Sequence, residues 1–459
     1  MTPRSTLSAL LLAAAAFAQA KPELPPAPAL GKDTTEALCA RFTTADHWVQ
    51  KAVVLLSLNQ WWHPAGVSMV LEALRAKDLR LCAFGVETLL RSDPALLPTL
   101  ATPELLDELI VRQLARSNDL LRSRVLEALA RLVPKAGAGD RAAFTKWWSG
   151  NKEIHQPEPW SPRSDPAAAA GGGTTAAAQR AFDLYQSGLD MMLCIDSTGS
   201  MQPTIDALGA ALGQMVDILD GLSPKLRLGL VHYRDYGELG KPGAKVLLPF
   251  TKNVTSVQKA LGDLRADGGG DLPEAVLGGL ATALDEKNGW KKDANRIVVL
   301  IGDAPPHDDD RQRVLEWARL AFESPGSVPG KPVTGKPDGK PFLTSAIGVF
   351  LDLPDSFRGK PGVREFLDSQ QQMRTDFQAI AKAGGGVFVE VTFQVTDGPG
   401  PVKSKEREQA QKKEDAVAAQ ATRRIVEHIL VLSFGERFRR EMHDFVRVFY
   451  EYKEAGFFK

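Results

Sequence analysis

The chain has 459 residues, 44% hydrophobic and 24% charged, the make-up of a globular protein long enough for two or three domains with a large core. Its 56 basic and 56 acidic residues cancel, so no net field draws in nucleic acid or an anionic surface, which counts against both as partners. Three cysteines, at 39, 82 and 194, are too few for a disulfide-built scaffold, and no CxxC or HExxH zinc spacing occurs. A Cys39–Cys82 bridge stays open at this level.

Residues 1–20, "MTPRSTLSALLLAAAAFAQA", combine an arginine, a short apolar run and an Ala18-Gln19-Ala20 site. They read as a signal peptide, with an ordinary N-terminal helix as the bland alternative. The expectation is a secreted, periplasmic or otherwise extracytoplasmic protein, and residues 21–39 read as a Pro-rich spacer. No later stretch approaches the ~20 apolar residues of a membrane span.

Residues 40–150 carry apolar positions at three- and four-residue spacing and read as a small all-helical domain. "LRLCAFGVETLLRSDPALL" from 79 and "LRSRVLEALARLVPKAG" from 121 share a leucine-arginine opening, an apolar face and a proline near the end, offset by 42 residues. That offset resembles HEAT-type helical repeats, and an unrelated helical bundle fits the pattern equally. Trp61, Trp62, Trp147 and Trp148 read as packing residues of this domain. Residues 151–183, rich in Pro, Ala and Gly, read as a tether between two independently moving domains.

From 184 to 400, short apolar runs alternate with helical patterns. Strands are expected at 191–195, 226–233, 245–250, 296–302, 345–351 and 386–391. The implied fold is α/β, a doubly wound, mostly parallel sheet covered on both faces, with ligands at the C-terminal strand ends. "SPGSVPGKPVTGKPDGKP" over 324–341 reads as an exposed loop, and its GxxxGK fragment lacks phosphate-loop spacing. Residues 401–459 read as a charged C-terminal helical segment that turns apolar and covers either the sheet or the helical domain.

The chemistry concentrates in "MMLCIDSTGSM", 191–201. Asp196, Thr198 and Ser200 alternate directly after an apolar strand and before a helix. One carboxylate and two hydroxyls form part of the six-oxygen shell that a hard cation such as Mg²⁺ demands. Asp303 follows a second apolar strand in "RIVVLIGDAPPH", and Asp271 ends the glycine-rich "DGGGDLPEAV". Each has a bland alternative: an N-capping turn at "DSTGS", a capping box of Asp271 and Glu274, and a cap at Asp303. His307, the acidic run 308–310 and "YRDYGE" over 233–238 sit on the rim; Arg234 and Asp235 read as a structural pair.

On these residues, 190 to about 395 resemble the von Willebrand factor type A (VWA) domain. The resemblance implies a metal-ion-dependent adhesion site (MIDAS), in which an Asp-x-Ser-x-Ser loop, a threonine of a second loop and an aspartate of a third hold a divalent cation. By position Asp196, Thr198 and Ser200 match the first loop and Asp303 the third, while Asp271 stands where the family usually carries threonine. The implied cofactor is Mg²⁺, with Mn²⁺ or Ca²⁺ as substitutes, and the implied partner is a protein whose acidic side chain completes the shell. An extra carboxylate at 271 strengthens the cation's hold and weakens the attraction for an acidic ligand. The expected function is a cation-dependent binding or adhesion module, not an enzyme. Two alternatives are a metal-assisted hydrolase with His307 beside the metal and an assembly scaffold in which the helical domain does the recognition. Movement of the C-terminal helix over 416–432 on ligand engagement is a further implication of the resemblance.

Overall fold

The computed structural model describes residues 32–58, 61–137, 139–161, 176–269, 272–327, 329, 339–357, 359–394, 419–420 and 422–458. The signal-peptide reading, the first part of the spacer, much of the 324–341 loop, the charged run up to 418 and Asp271 lie outside the described residues.

The chain opens with α1 (Lys32–Thr44), α2 (Trp48–Ser57), α3 (Val67–Arg75) and α4 (Leu79–Arg91). Short turns lead to a π-helical stretch, Glu108–Gln113, then α5 (Asp119–Leu132) and α6 (Arg141–Asn151). Local chemistry starts several of these: Asp78, Asn118 and Asp140 each accept a backbone N–H of the first turn of α4, α5 and α6. The two similar leucine-arginine segments form α4 and α5, which pack on one another, with Arg131 Nη1 donating to Leu90 O at 3.0 Å. Trp62 and Trp148 are buried, and their ring N–H groups donate to Ser92 Oγ (2.8 Å) and Asp107 Oδ1 (2.7 Å). Cys39 and Cys82 are free thiols.

Two boundaries differ from expectation. The spacer gives way at Lys32 to α1, which buries Thr35, Leu38 and Phe42; the prolines end at Pro28, and nothing after Gly31 opposes a helix. The tether over 151–183 is docked on either side of 162–175. Glu158 N donates to Pro98 O at 3.1 Å, and the His63 and Trp160 rings meet edge to face at 4.6 Å. Ala176–Ser187 forms α7, packed on α2. An alanine run that reads as linker by composition is also the best helix former there is.

Six strands make one sheet in the order β3-β2-β1-β4-β5-β6. They are β1 (Leu189–Asp196), β2 (Arg227–Tyr233), β3 (Ala244–Thr251), β4 (Asn295–Gly302), β5 (Phe342–Asp352) and β6 (Gly385–Gln394). Only the β2–β3 pairing is antiparallel. β1 lies mid-sheet with all eight residues buried, so it is apolar from Met191 to Ile195, and its buried Asp190 is paired with Arg227. Met191, Leu193 and Ile195 enter the core on one face, and Met192 and Cys194 that on the other, as a two-residue period requires. The first face is covered by α8 (Gln202–Leu222), α9 (Val254–Asp263) and a helix α13 over 422–434; the second by α10 (Val276–Leu284), α11 (Arg311–Glu323) and α12 (Val363–Ala383).

The first-face core does not stop at the sheet. It runs without a break into the helical region, from Leu38 to Phe457. The last helix, α14 (Arg439–Glu454), lies on α2 and α4, and Trp48 stacks on Phe445 and Phe449 at 5.8 and 5.9 Å between ring centres. Beneath it the buried Glu87 carboxylate accepts from Arg447 Nη2 (3.1 Å) and Tyr452 Oη (3.2 Å) and pairs with Arg124 Nε (3.4 Å). The C-terminal segment thus covers both the sheet, through α13, and the helical region, through α14. Independent motion about a tether is replaced by one shared apolar core.

Candidate metal centre

β1 ends at Asp196 and its neighbour β4 at Gly302, with Ile195 opposite Ile301. In this strand order the chain moves one way across the sheet from β1 and the other way from β4, so the switch point falls between them. The crevice for a ligand opens there, beyond the carboxyl ends of the strands. Register puts Asp196 and Asp303 on the same edge, one step apart on adjacent strands.

Three loops meet at that edge. In the first, Asp196 Oδ1 accepts from Thr198 N (2.9 Å) and Thr198 Oγ1 (2.7 Å), while Asp196 Oδ2 is buried with no hydrogen-bond partner. The second loop is pinned to the first, with Asp267 N donating to Ser197 O (3.1 Å) and Gly199 N to Gly268 O (3.2 Å). Gly269 has φ +81°, and a Cβ there would lie 3.1 Å from Thr198 Cβ, so both backbone and space call for glycine. The third loop carries Asp303, whose carboxylate accepts from the exposed Ser200 hydroxyl of the first. Asp196, Thr198, Ser200 and Asp303 are therefore brought together. Asp271, between Gly269 and Leu272, lies outside the described residues.

Glu274 is the residue that sequence reasoning misplaced. It is buried, its N–H donates to Pro305 O (3.0 Å), and its Oε2 has no partner. The N-cap position of α10, Ala275, makes no side-chain cap bond, and Met201 and Asp310, which precede α8 and α11, make none either. The bland readings as helix caps thus do not describe how these helices start. Glu274 lies two residues before the apolar helix α10, held to the third loop by Pro305, and nothing in the local sequence marks it as buried.

The electrostatics are adverse as the residues stand. Burial first, then the charge of Asp303, pushes the Asp196 carboxyl up to about 8. Burial, then Asp196, Asp235, Asp303 and Glu238, pushes Glu274 up to about 10. Asp303 is raised by burial, against the opposing Ser200 hydrogen bond. Among the described residues no three His, Cys, Asp or Glu side chains form a metal cluster by themselves. What the edge offers is two carboxylates and two hydroxyls, all hard oxygens, with one buried carboxylate oxygen lacking a donor. That set fits a hard divalent cation.

The rim is engaged. His307 Nε2 lies 2.7 Å from Asp235 Oδ1, and its ring stacks on Tyr236 at 5.1 Å. Arg234 donates to Ser197 Oγ (3.1 Å) and Arg265 O (2.9 Å). The 308–310 run is only partly solvated: Asp308 and Asp309 are exposed, but Asp310 is buried, accepting from Tyr236 Oη at 2.5 Å and Arg313 Nη1 at 2.8 Å.

Residues 191–305 match the family model of the von Willebrand factor type A domain. That stretch begins in β1, ends just past Asp303 and so contains all three loops. Over 146 residues the chain is 27% identical to an alpha-protein kinase, vwkA, of Dictyostelium discoideum, covering 31% of this chain and 21% of that protein. Over 129 residues it is 31% identical to a putative ariadne-like RING finger protein of Acanthamoeba polyphaga mimivirus, covering 28% of this chain and 12% of that protein. The chain thus spans 21% or less of the length of these relatives. A solved structure of the conserved hypothetical protein BatB from Bacteroides thetaiotaomicron is similar at 17% identity and TM-score 0.31, over 51% of this chain and all of that one.

Proposed function

We propose that this edge holds one divalent cation, Mg²⁺ with Mn²⁺ or Ca²⁺ as substitutes, and that the domain uses it to bind a protein partner. Asp196 and Asp303 would supply carboxylates, Thr198 and Ser200 hydroxyls, and Asp271 a further oxygen from the second loop. The observation that carries this reading is the donorless, buried Oδ2 of Asp196 beside a second buried carboxylate at the switch point. A buried carboxylate without a compensating partner costs several kcal/mol and persists where something else supplies the compensation. When bound, the cation neutralises the two carboxylates and presents an open position to an oxygen of the partner.

The residues themselves do the positioning. Thr198 holds Asp196 through two hydrogen bonds, Ser200 ties the first loop to the third, and Gly269 lets the second loop approach Thr198 of the first. VWA domains commonly mediate protein–protein interaction, which agrees with a site at an exposed edge. We read a binding module and not an enzyme, because the candidate base His307 is turned to Asp235 and Tyr236 on the rim and, among the described residues, no hydrogen bond links it to Asp196, Ser200 or Asp303. Residues 1–20 support an extracytoplasmic location. Calorimetric titration of Mg²⁺, Mn²⁺ and Ca²⁺ tests the reading: uptake by the wild type and loss in Asp196→Ala support it, and equal uptake by both sinks it.

A further inference from the structure

The mouth of the centre carries more acidic side chains than one divalent cation needs. Asp196 and Asp303 account for the cation. Glu274 remains, buried to 3% exposure with Oε2 lacking any partner. Asp235 and Glu238 stand on the adjacent loop, and Glu238 Oε1 accepts from Gly269 N at 2.8 Å, which fixes that carboxylate over the second loop. The cation nearest to Asp196 is Arg234, whose guanidinium is already directed at Ser197 Oγ and Arg265 O. The four side chains whose charges act most strongly on Glu274 are all acids. Beside them Tyr236 and Leu272 are exposed large side chains, 42% and 39%, on a rim otherwise polar.

A partner carboxylate arriving here would meet this field at close range, and like charges brought together across an interface are strongly disfavoured. A basic side chain meets the opposite situation. It finds the Glu238 carboxylate, fixed through Oε1 by Gly269 N, and the partly exposed Tyr236 ring, which His307 stacks and Asp310 anchors, the combination that favours a lysine or arginine head group. We propose that the partner is a basic protein segment: one of its neutral carbonyl oxygens faces the cation, and its lysine or arginine lies against Glu238 and Tyr236. This deepens the cation reading and rests on it.

The test uses the full chain with Mg²⁺ and three labelled peptides of equal length on one Gly-Ser frame, rich in lysine, asparagine or glutamate, read by fluorescence anisotropy. The expected order of affinity is lysine, asparagine, glutamate, with at least about tenfold between the extremes. Glu238→Gln and Tyr236→Leu should each weaken the lysine peptide severalfold, while Glu36→Gln, far off on α1, should not. Equal or tighter binding of the glutamate peptide, a lysine preference untouched by both rim variants, or no binding of the lysine peptide would overturn the inference. Parallel calorimetry separates the two proposals. Mg²⁺ uptake with a glutamate preference overturns this inference alone, whereas a lysine preference without Mg²⁺ uptake overturns the cation reading and with it the carbonyl contact proposed here.

Discussion

Replacing Asp303 by asparagine should make the cation-free protein more stable and the cation-loaded protein less so. Asp303 sits one step beyond the residue opposite Asp196 on the adjacent strand. A strand spacing of about 4.8 Å and a rise of about 3.3 Å put the two Cα atoms about 5–6 Å apart, and a charge separation of the same order is taken for the carboxylates. At an effective dielectric constant of about 20, two full charges at that distance repel by about 3 kcal/mol. Asp196 is pushed up to about 8, so much of this repulsion is avoided by protonation near neutrality and the larger part is felt only above that pH. At pH 8.5 in EDTA, Asp303→Asn should therefore gain about 1–2 kcal/mol in urea unfolding, since the amide oxygen still accepts from Ser200. Wild type at a hundred times the dissociation constant of Mg²⁺ should gain about 2.7 kcal/mol, a gain the variant should lose. The order of the two urea midpoints should reverse between EDTA and Mg²⁺. A variant less stable in EDTA, or stabilised by Mg²⁺ as much as wild type, would refute the reasoning and make Asp303 a structural residue.

The same shifts set a pH dependence. Asp196, Asp303 and Glu274 are all raised in the folded state, so their favourable contribution is complete below the ordinary carboxylate range. It is lost as pH climbs through the folded values, about 8 for Asp196 and about 10 for Glu274. Without cation, urea midpoints should fall steadily from pH 6 to 9, Mg²⁺ should flatten the slope, and a flat profile in EDTA would count against the account. Thr198→Val keeps the branched shape but removes the hydroxyl 2.7 Å from Asp196 Oδ1; calorimetry should show Mg²⁺ affinity down by about ten- to a hundredfold, with Thr198→Ser nearly unaffected. Glu87→Ala removes the buried carboxylate under α14 and leaves Arg447 and Arg124 to share only Glu451; it should cost about 2 kcal/mol in thermal or urea unfolding. A loss below about 1 kcal/mol would mean that α14 is held by its aromatic contacts alone.

The four inner strands were readable as apolar runs because a parallel sheet covered on both faces demands side chains that are apolar without alternation, whereas the edge strands β3 and β6 are only partly buried and showed as mixed runs. The direction of β3 was not readable, since an edge strand's orientation is set by how its loop closes and leaves no mark on its own residues. That Asp196, Thr198, Ser200 and Asp303 share one edge could be anticipated from position, since Asp196 ends one apolar strand, Asp303 follows another, and Thr198 and Ser200 lie in the turn after the first. The place of Glu274 could not, because a carboxylate near a helix start has the look of a cap until burial is known. The largest miss concerns organisation. Periodicity shows that α2 or α4 has an apolar face and is silent on what covers it, so the union of the helical region with the sheet through α8, α13 and α14 could not be read. The alanine-rich stretch opening at 176 misled for a related reason: small residues serve both as flexible linker and as a helix that packs closely.

The most direct measurement is anomalous diffraction from crystals soaked in Mn²⁺ and collected near the manganese edge. The account expects one strong peak among Asp196, Thr198, Ser200 and Asp303, absent from crystals of Asp196→Ala. A peak confined to the outer acids around Glu238 and Asp309, or no peak on this edge of the sheet, would contradict it.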